Sequence, residues 1–326
     1  MRRRRIENDA VDEVLLVHNP LSRKGRGVAR AARHIIDRDF GATSRNLRWV
    51  ELRDLPAERT PPARVVVLGG DGSVNAAAQW IHERGHDCPI AIVPAGTGNN
   101  LAKGLGIPLA AGPALRQALE GGEARKVDGI LYQAGDGSQR VLVQTAALGF
   151  PAEIAARYDR LRRSLLCRGL FRPTGPYVYR WLALAGLSAQ KRRERRGEDF
   201  LEVQCVLPEE TLEERVIAIF IGNERSLGGE FQPCPKARID DGLMDLCFVR
   251  AGTGESYLRL FRSVMRGEHL AFERTVVYRQ TRGPVEIRLS QSRELLADGD
   301  LWVRDQRFRL EISAGRFRVI ATPSQS

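Results

Sequence analysis

Cysteine is scarce and scattered. The five residues (Cys88, Cys167, Cys205, Cys234, Cys247) are odd in number and never form C-x-x-C. That excludes a disulfide framework and a zinc ribbon, and fits free or buried thiols in a reducing compartment. Long apolar runs are missing too: "WLALAGLSA" from Trp181 is far short of the roughly 20 residues that span a bilayer. Behind the basic opening "MRRRRIENDAVDE" come acidic residues where a secretory signal needs an apolar stretch. The opening reads as a solvated tail on an intracellular, cytoplasmic protein. No fixed-period repeat or low-complexity tract points to a solenoid or a disordered chain.

Negative charge is also in deficit, with 51 Lys and Arg against 40 Asp and Glu and a net charge of +11. The deficit is concentrated: between Arg157 and Arg196 stand twelve basic residues and two acidic ones, Asp159 and Glu194. Such a zone suits an anionic partner, either nucleic acid or an anionic membrane surface, or is a solvated helix face. It interleaves arginines with Tyr, Phe and Trp in "RYDRLRRSLLCRGLFRPTGPYVYRW", as a single-strand groove does, yet no nucleic-acid module accompanies it. The reading favoured is no nucleic acid and peripheral docking on an anionic bilayer.

What is present is enough for two domains: 326 residues, 43% of them hydrophobic. In the first third, strands "DEVLLVHN", "LRWVEL", "RVVVL" and "PIAIVP" alternate with helical "GVARAARHIID", "SVNAAAQWIHER", "NNLAKGL" and "GPALRQALEGG". That alternation predicts a parallel sheet covered by helices. From about Glu123 the pattern becomes strand-rich. "FLEVQCVL", "VEIRLS" and "FRLEIS" alternate with period two, and "RVIAIFIGN" is a continuous buried run, predicting an antiparallel domain. A basic helical insert over 152–196 interrupts it. So does "ESYLRLFRSVMRGE", whose Tyr257, Leu258, Phe261, Val264 and Met265 share one helical face.

Two stretches share one design. Strand "VVVL" runs into Gly69, Gly70, Asp71, Gly72 and Ser73; strand "IAIV" runs into Pro94, Ala95, Gly96, Thr97, Gly98, Asn99 and Asn100. Glycines admit a ligand close to the backbone, and the helix that follows presents unpaired N–H groups, so each loop is suited to phosphate. Both loops sit at carboxyl ends of parallel strands, where open α/β sheets bind ligands. A carboxylate beside polyphosphate is repulsive unless a divalent cation lies between them or it accepts a proton from an attacking hydroxyl, and both situations belong to phosphoryl transfer. The alternative for Asp71 is a tight turn whose carboxylate caps a helix.

With these residues on the page, "GGDGSVN" and "PAGTGNNLAKGLGIP" resemble the two signature loops of the diacylglycerol kinase catalytic-domain family, which includes bacterial lipid kinases and sphingosine kinases. "HNPLSRKGRG", "ALGFPAEIA", "GGEFQPCPKARIDDGLMDLCFV" and "LLADGD" resemble further motifs in the family's order, from about Val14 to Val319. The resemblance implies an α/β nucleotide domain over 1–123, rejoined by a returning segment 307–326. It implies a β-sandwich-like substrate domain over 124–306 and an active site in the cleft between the two. It also implies ATP and magnesium. Gly69, Gly70, Asp71, Gly72, Ser73, Val74 and Asn75 would form the phosphate loop, with Gly96, Thr97, Gly98 and Asn99 on the nucleotide and Asn19 at the mouth of the first strand. Asp241, with backbone carbonyls near Arg238 and Leu243, would hold a second, structural magnesium. The family's late D-G-E supplies a general base, and here the position is Asp300. Further departures are Asn100 for Asp, Ser73 for Thr and Arg23 for Gly, and a helix expected before the third strand is reduced or missing.

The implied activity is transfer of the γ-phosphoryl group of ATP to a lipid hydroxyl, with diacylglycerol ahead of a sphingoid base or another lipid. A kinase with a soluble acceptor such as NAD, and a catalytically weak nucleotide sensor at the membrane, are the alternatives. A homodimer is compatible with the sequence, which carries no signal about assembly. "HERGH", His82 to His86, matches the H-E-x-x-H zinc pattern. Gly85 ends the helix between the two histidines, so they are expected at the surface of a helix C-terminus.

Overall fold

The structure, a computed structural model, describes residues 13–20, 25–41, 46–96, 98–163, 171–196, 200–228 and 231–321. They divide into two compact units, the first holding 13–129, 239–241 and 313–321 and the second 130–238 and 242–312. The basic N-terminal opening, Arg23, Thr97, Cys167 and the side chains from Arg162 to Arg180 lie outside the described residues.

In the first unit the elements run β1 (Val14–His18), α1 (Gly25–Asp39), β2 (Leu47–Glu51), β3 (Arg64–Gly69), α2 (Asp71–Arg84), β4 (Ile90–Pro94), α3 (Asn100–Gly104) and α4 (Ala111–Glu120). Strands pair in parallel in the order β2-β1-β3-β4, and Val319 and Ile320 pair in parallel with Ile90 and Ala91 of β4. Leu15 to Val17 and Val65 to Leu68 are wholly buried, as strands covered on both faces must be. Helix α1 buries Ala29, Ala32 and Ile36 at three- and four-residue spacing. Between β2 and β3 there is a single 3-10 turn, Leu55–Ala57, where a helix is reduced as the sequence indicated.

Helix α2 ends in a complete left-handed cap. Gly85 stands at φ +63°, its N–H donates to the His82 carbonyl, and the His86 N–H donates to that of Ile81. His82 and His86 therefore do not share a helix face. The expectation that both are surface residues is corrected: each is half-buried, His86 edge-on to Trp80 at 4.8 Å and His82 Nδ1 2.8 Å from Arg316 Nη2. Burial lowers the pKa of both, which disfavours a cation at the helix terminus.

Strand β5 (Glu123–Gln133) passes from the first unit into the second, where follow β6 (Gln139–Leu142), β7 (Thr145–Gly149), α5 (Phe150–Arg163), α6 (Phe171–Arg195), β8 (Leu201–Val206), β9 (Thr211–Gly222), β10 (Met244–Arg250), α7 (Tyr257–Arg266), β11 (Val276–Thr281), β12 (Val285–Ala297) and β13 (Asp300–Ala321), which belongs to the first unit from Ser313 onward. Pairing is antiparallel in the order β11-β10-β9-β7-β12-β13, and β8 pairs with both β9 and β12. The first halves of β9 and β12 thus border β8 while their second halves border β7. These long strands turn around one core that includes Ile130, Tyr132, Leu148, Val203, Ile219, Phe248, Ile287 and Phe308.

Alternation along β8 and the start of β12, and the unbroken burial of Val216–Gly222, follow the sequence pattern. Helix α7 is where expected but turned. It buries Tyr257, Leu260, Ser263 and Val264, while Leu258 is 44% exposed. At 3.6 residues per turn Leu258 lies about 100° past Tyr257, beyond the edge of the stripe, and Leu260 takes its place.

Candidate functional site

The carboxyl edge of the parallel sheet brings the two glycine loops together. Gly69 is in register with Pro94, and the Ala95 N–H donates to the Gly69 carbonyl at 2.8 Å. A Cβ on Gly70 would stand 2.7 Å from the Gly96 Cα, and one on Gly96 2.6 Å from the Gly70 Cα. The loops therefore touch backbone to backbone, and only glycine permits that approach. Gly69 and Gly98 are required by near neighbours: an added Cβ would collide with the Ser73 side chain at the first and stand 2.8 Å from the Asp71 Oδ2 at the second. Gly72 differs, since among the described residues nothing lies within 4 Å of its absent Cβ and it is exposed. No contact among the described residues demands a glycine there, and the open space lies over the first turn of α2, whose free N–H groups suit an anion.

Asp71 answers its puzzle in a way composition could not. Its carboxylate faces the backbone amides of Asn99, Asn100 and Leu101, at the start of α3. The residue opens α2 while its carboxylate lies at the start of α3, so the two loops meet at this side chain as well. Burial raises its pKa, opposed by those amides and by Lys103. Asn99 closes the second loop, standing at φ +49° with its Oδ1 accepting from the Gly96 N–H at 2.9 Å and its Nδ2 donating to the Gly96 carbonyl at 3.1 Å.

Ser73 is buried and Val74 packs into the core of α2. The side-chain nitrogen and oxygen of Asn75 are both shielded from solvent and find no hydrogen-bond partner among the described residues. An orphaned amide beside a phosphate-type loop needs a polar partner, since leaving it unpaired is costly. Next along the same edge, β1 is in register with β3 through His18 and Leu68. Asn19 follows it, lining a cavity of about 370 Å³ with Pro20, Arg26, Glu51 and Arg53. Arg26, Glu51 and Arg53 are cavity residues that sequence reasoning missed. Their only signal was position, at or just past the ends of β2 and at the start of α1. Burial lowers the pKa of His18, just behind them, and leaves it inclined to the neutral form.

In the second unit, Asp300 opens β13 and is exposed, paired across a tight hairpin with Ala297. In the segment assigned to the second metal, Asp240 is taken by Arg125 at 2.6 Å, while Asp241 is half-buried before Gly242 at φ +68°. Arg238 and Leu243 belong to the second unit and Asp241 to the first. As a donor set, one carboxylate and two backbone carbonyls are hard oxygens, which suits magnesium rather than zinc or copper. Cys88, Cys205, Cys234 and Cys247 are free and buried, and burial pushes their thiols upward, Cys88 to about 11 and Cys205 to about 12. Among the described residues none is a nucleophile or metal thiolate by that measure.

Comparison with known proteins agrees with this layout. Residues 13–132 match the diacylglycerol kinase catalytic domain family, and residues 181–320 match the YegS C-terminal NAD kinase beta sandwich-like domain. A diacylglycerol kinase of Mycobacterium tuberculosis (strain CDC 1551 / Oshkosh) is 30% identical over 306 residues, covering 89% of each chain. A probable YegS-like lipid kinase of Stenotrophomonas maltophilia (strain K279a) is 30% identical over 260 residues, covering 78% of this chain and 77% of that one. In fold, the chain is similar to a crystal structure of a putative diacylglycerol kinase from Bacillus anthracis str. Sterne, with a TM-score of 0.72 over 96% of both chains at 19% identity.

Proposed function

This chain belongs to the diacylglycerol kinase catalytic-domain family, and from that premise we propose that it transfers the γ-phosphoryl group of ATP to a lipid hydroxyl, diacylglycerol giving phosphatidic acid. The observation that carries the reading is the interlocked loop pair, Gly70 against Gly96, with open space at Gly72 and the orphaned Asn75 amide beside it. Phosphate oxygens accept from the N–H groups at the start of α2 and from the Asn75 Nδ2, and the loop backbones orient the chain of phosphates. Magnesium bound with ATP and met by the Asp71 carboxylate would offset charge on the phosphates and leaving group. Asp241 with the Arg238 and Leu243 carbonyls would hold the second, structural ion.

In the transfer itself, the acceptor oxygen forms its bond to the γ-phosphorus as the bond from that phosphorus to the β,γ-bridging oxygen breaks. The hydroxyl proton passes to the Asp300 carboxylate, and ADP leaves with the bridging oxygen's electrons. The acceptor is met at an anionic membrane surface. The basic zone of α5 and α6 supports this, with Trp181 of α6 72% exposed on the helix that carries Lys191, Arg192 and Arg193: an exposed indole beside cations fits the interfacial layer of an anionic bilayer. Among the described residues no helix is long and apolar enough to cross a membrane.

The test is label transfer from γ-labelled ATP, with magnesium, to diacylglycerol, a sphingoid base and other lipids in mixed micelles, and to NAD. Wild type, Asp71→Ala and Asp300→Ala run side by side. Labelled phosphatidic acid that vanishes in both variants is the expected result. Label in NAD alone moves the protein to a soluble acceptor. ATP binding with no labelled product would overturn the enzymatic reading in favour of a nucleotide sensor.

A further inference from the structure

The hairpin that carries Asp300 is a two-residue loop, Asp298 at φ +51° and Gly299 at φ +91°, between the paired Ala297 and Asp300. Both positive φ angles mark the tight hairpin turn for which Asp-Gly is a preferred sequence. That turn needs no side-chain hydrogen bond from its first residue. Here it nevertheless makes three. Asp298 Oδ2 accepts from the Val143 N–H at 3.0 Å, and Oδ1 accepts from those of Gln144 at 2.9 Å and Thr145 at 3.2 Å. The Asp298 N–H in turn donates to the Thr145 carbonyl at 3.0 Å.

The cradle is itself fixed. Asn223, fully buried, donates from Nδ2 to the Val143 carbonyl at 2.8 Å and from its backbone to the Gln144 carbonyl at 2.8 Å. The Thr145 hydroxyl is bound to the carbonyls of Glu224 and Ser226. Behind the tip, by contrast, the ladder is irregular. Leu295 pairs with Val303 and Leu296 with Leu301, so Trp302 is an extra residue in β13. A bulge bends a strand and re-aims its side chains, and strand pairing alone then leaves the direction of the next residue loosely set. A carboxylate holding three backbone N–H groups is a strong, charge-assisted clamp.

We propose that Asp298 is a positioning residue for the phosphoryl transfer: its carboxylate, clamped on the Val143–Thr145 amides, fixes the bulged β12–β13 tip and so holds the Asp300 carboxylate in line for the acceptor proton. The proposal rests on Asp300 as the base. It gives the shorter side chain at that position a physical support, because a short carboxylate depends on where its backbone is held.

The experiment is a double-mutant cycle in the full chain with single-turnover label transfer to diacylglycerol, ATP affinity measured separately, and amide exchange at 299–301. Asp298→Gly keeps the turn's positive φ and removes the clamp; Asp298→Asn keeps the turn and an acceptor oxygen but faces one N–H with its own amide. A displacement near 1 Å costs about 10²-fold in rate, so kcat should fall about that far in Asp298→Gly and less in Asp298→Asn. ATP affinity should be unchanged, with faster exchange at the tip. In an Asp300→Ala background, Asp298→Asn should cause no further loss, because the group it positions is gone. Losses that multiply, or a folded Asp298→Gly with wild-type kcat, overturn the proposal. Wild-type kcat in Asp300→Ala alone instead removes the base assignment, and the positioning role with it. Where Asp298→Gly fails to fold, Asp298→Asn alone decides between these outcomes.

Discussion

Replacing Gly96 by alanine would drive one methyl group into the seam between the loops. The added Cβ stands 2.6 Å from the Gly70 Cα and 2.8 Å from the Asn99 Oδ1, where relaxed carbon–carbon contact needs about 3.5–4.0 Å. The obstacle is backbone, set between the end of β3 and the start of α2, so rotation of a side chain cannot relieve it. Parting the loops by about 1 Å is the remaining route. Overpacking of this kind costs roughly 1–3 kcal/mol, and at about 2–4 °C per kcal/mol the thermal midpoint should drop by roughly 2–12 °C. The same displacement separates the phosphate-binding backbones and should lower kcat/KM for ATP by about 10²-fold. Gly72→Ala is the matched control, because its Cβ enters open space. Its thermal midpoint should stay near wild type while ATP affinity falls, since the methyl would occupy room assigned to phosphate. Calorimetry and nucleotide titration read both variants. A Gly96→Ala protein with wild-type midpoint and ATP affinity would refute the interlocked-loop argument, and undiminished ATP binding in Gly72→Ala would refute the placement of phosphate there.

Asp71→Ala should cost about 0.5–2 kcal/mol of stability, the range of a lost helix cap, because the amides of Asn99, Asn100 and Leu101 lose the carboxylate they face; urea unfolding with unchanged midpoint would show that the carboxylate does not hold the second loop. Fully buried His269 donates from Nε2 to the Pro233 carbonyl at 3.0 Å, and burial lowers its pKa below the ordinary 6.5. A histidine depressed in the folded state contributes stability above pH 6.5 that is lost as pH falls through the folded value. The urea midpoint should therefore decline from pH 7 toward 5, and His269→Gln should flatten that decline, though His18, His82 and His86 are shifted the same way and keep part of it. Trp181→Ala should weaken sedimentation with phosphatidylglycerol-containing vesicles without changing the thermal midpoint, since the indole is 72% exposed; equal sedimentation of variant and wild type would remove α6 from the membrane contact.

How far the sequence could carry this argument depends on the distance over which each feature is decided. Strand-helix alternation is local, so β1 to α4 were legible from burial periodicity and from stop signals such as Gly85. The long strands β9, β12 and β13 were legible only in part, because their two halves border different neighbours and a period-two window sees one half at a time. The edge of the α7 stripe depends on what packs against it, which is why Leu258 and Leu260 exchanged roles. In the glycine loops the motif announced phosphate, but the reason for Gly70 and Gly96 is their contact with each other, 26 positions apart. Asp71 shows the limit most sharply. Both readings offered for it, a carboxylate for phosphoryl transfer and a carboxylate that caps a helix, are compatible in one side chain once the amides it faces are seen to belong to the other loop. The helix start it faces is that of α3, not of the α2 it begins. On the proposed function, a carboxylate that lies between the two phosphate-type loops and also meets the cation couples the shape of the nucleotide site to its charge. Substitution there should never remove one without the other, whereas Gly72 and Asn75 can be changed with the loop seam intact.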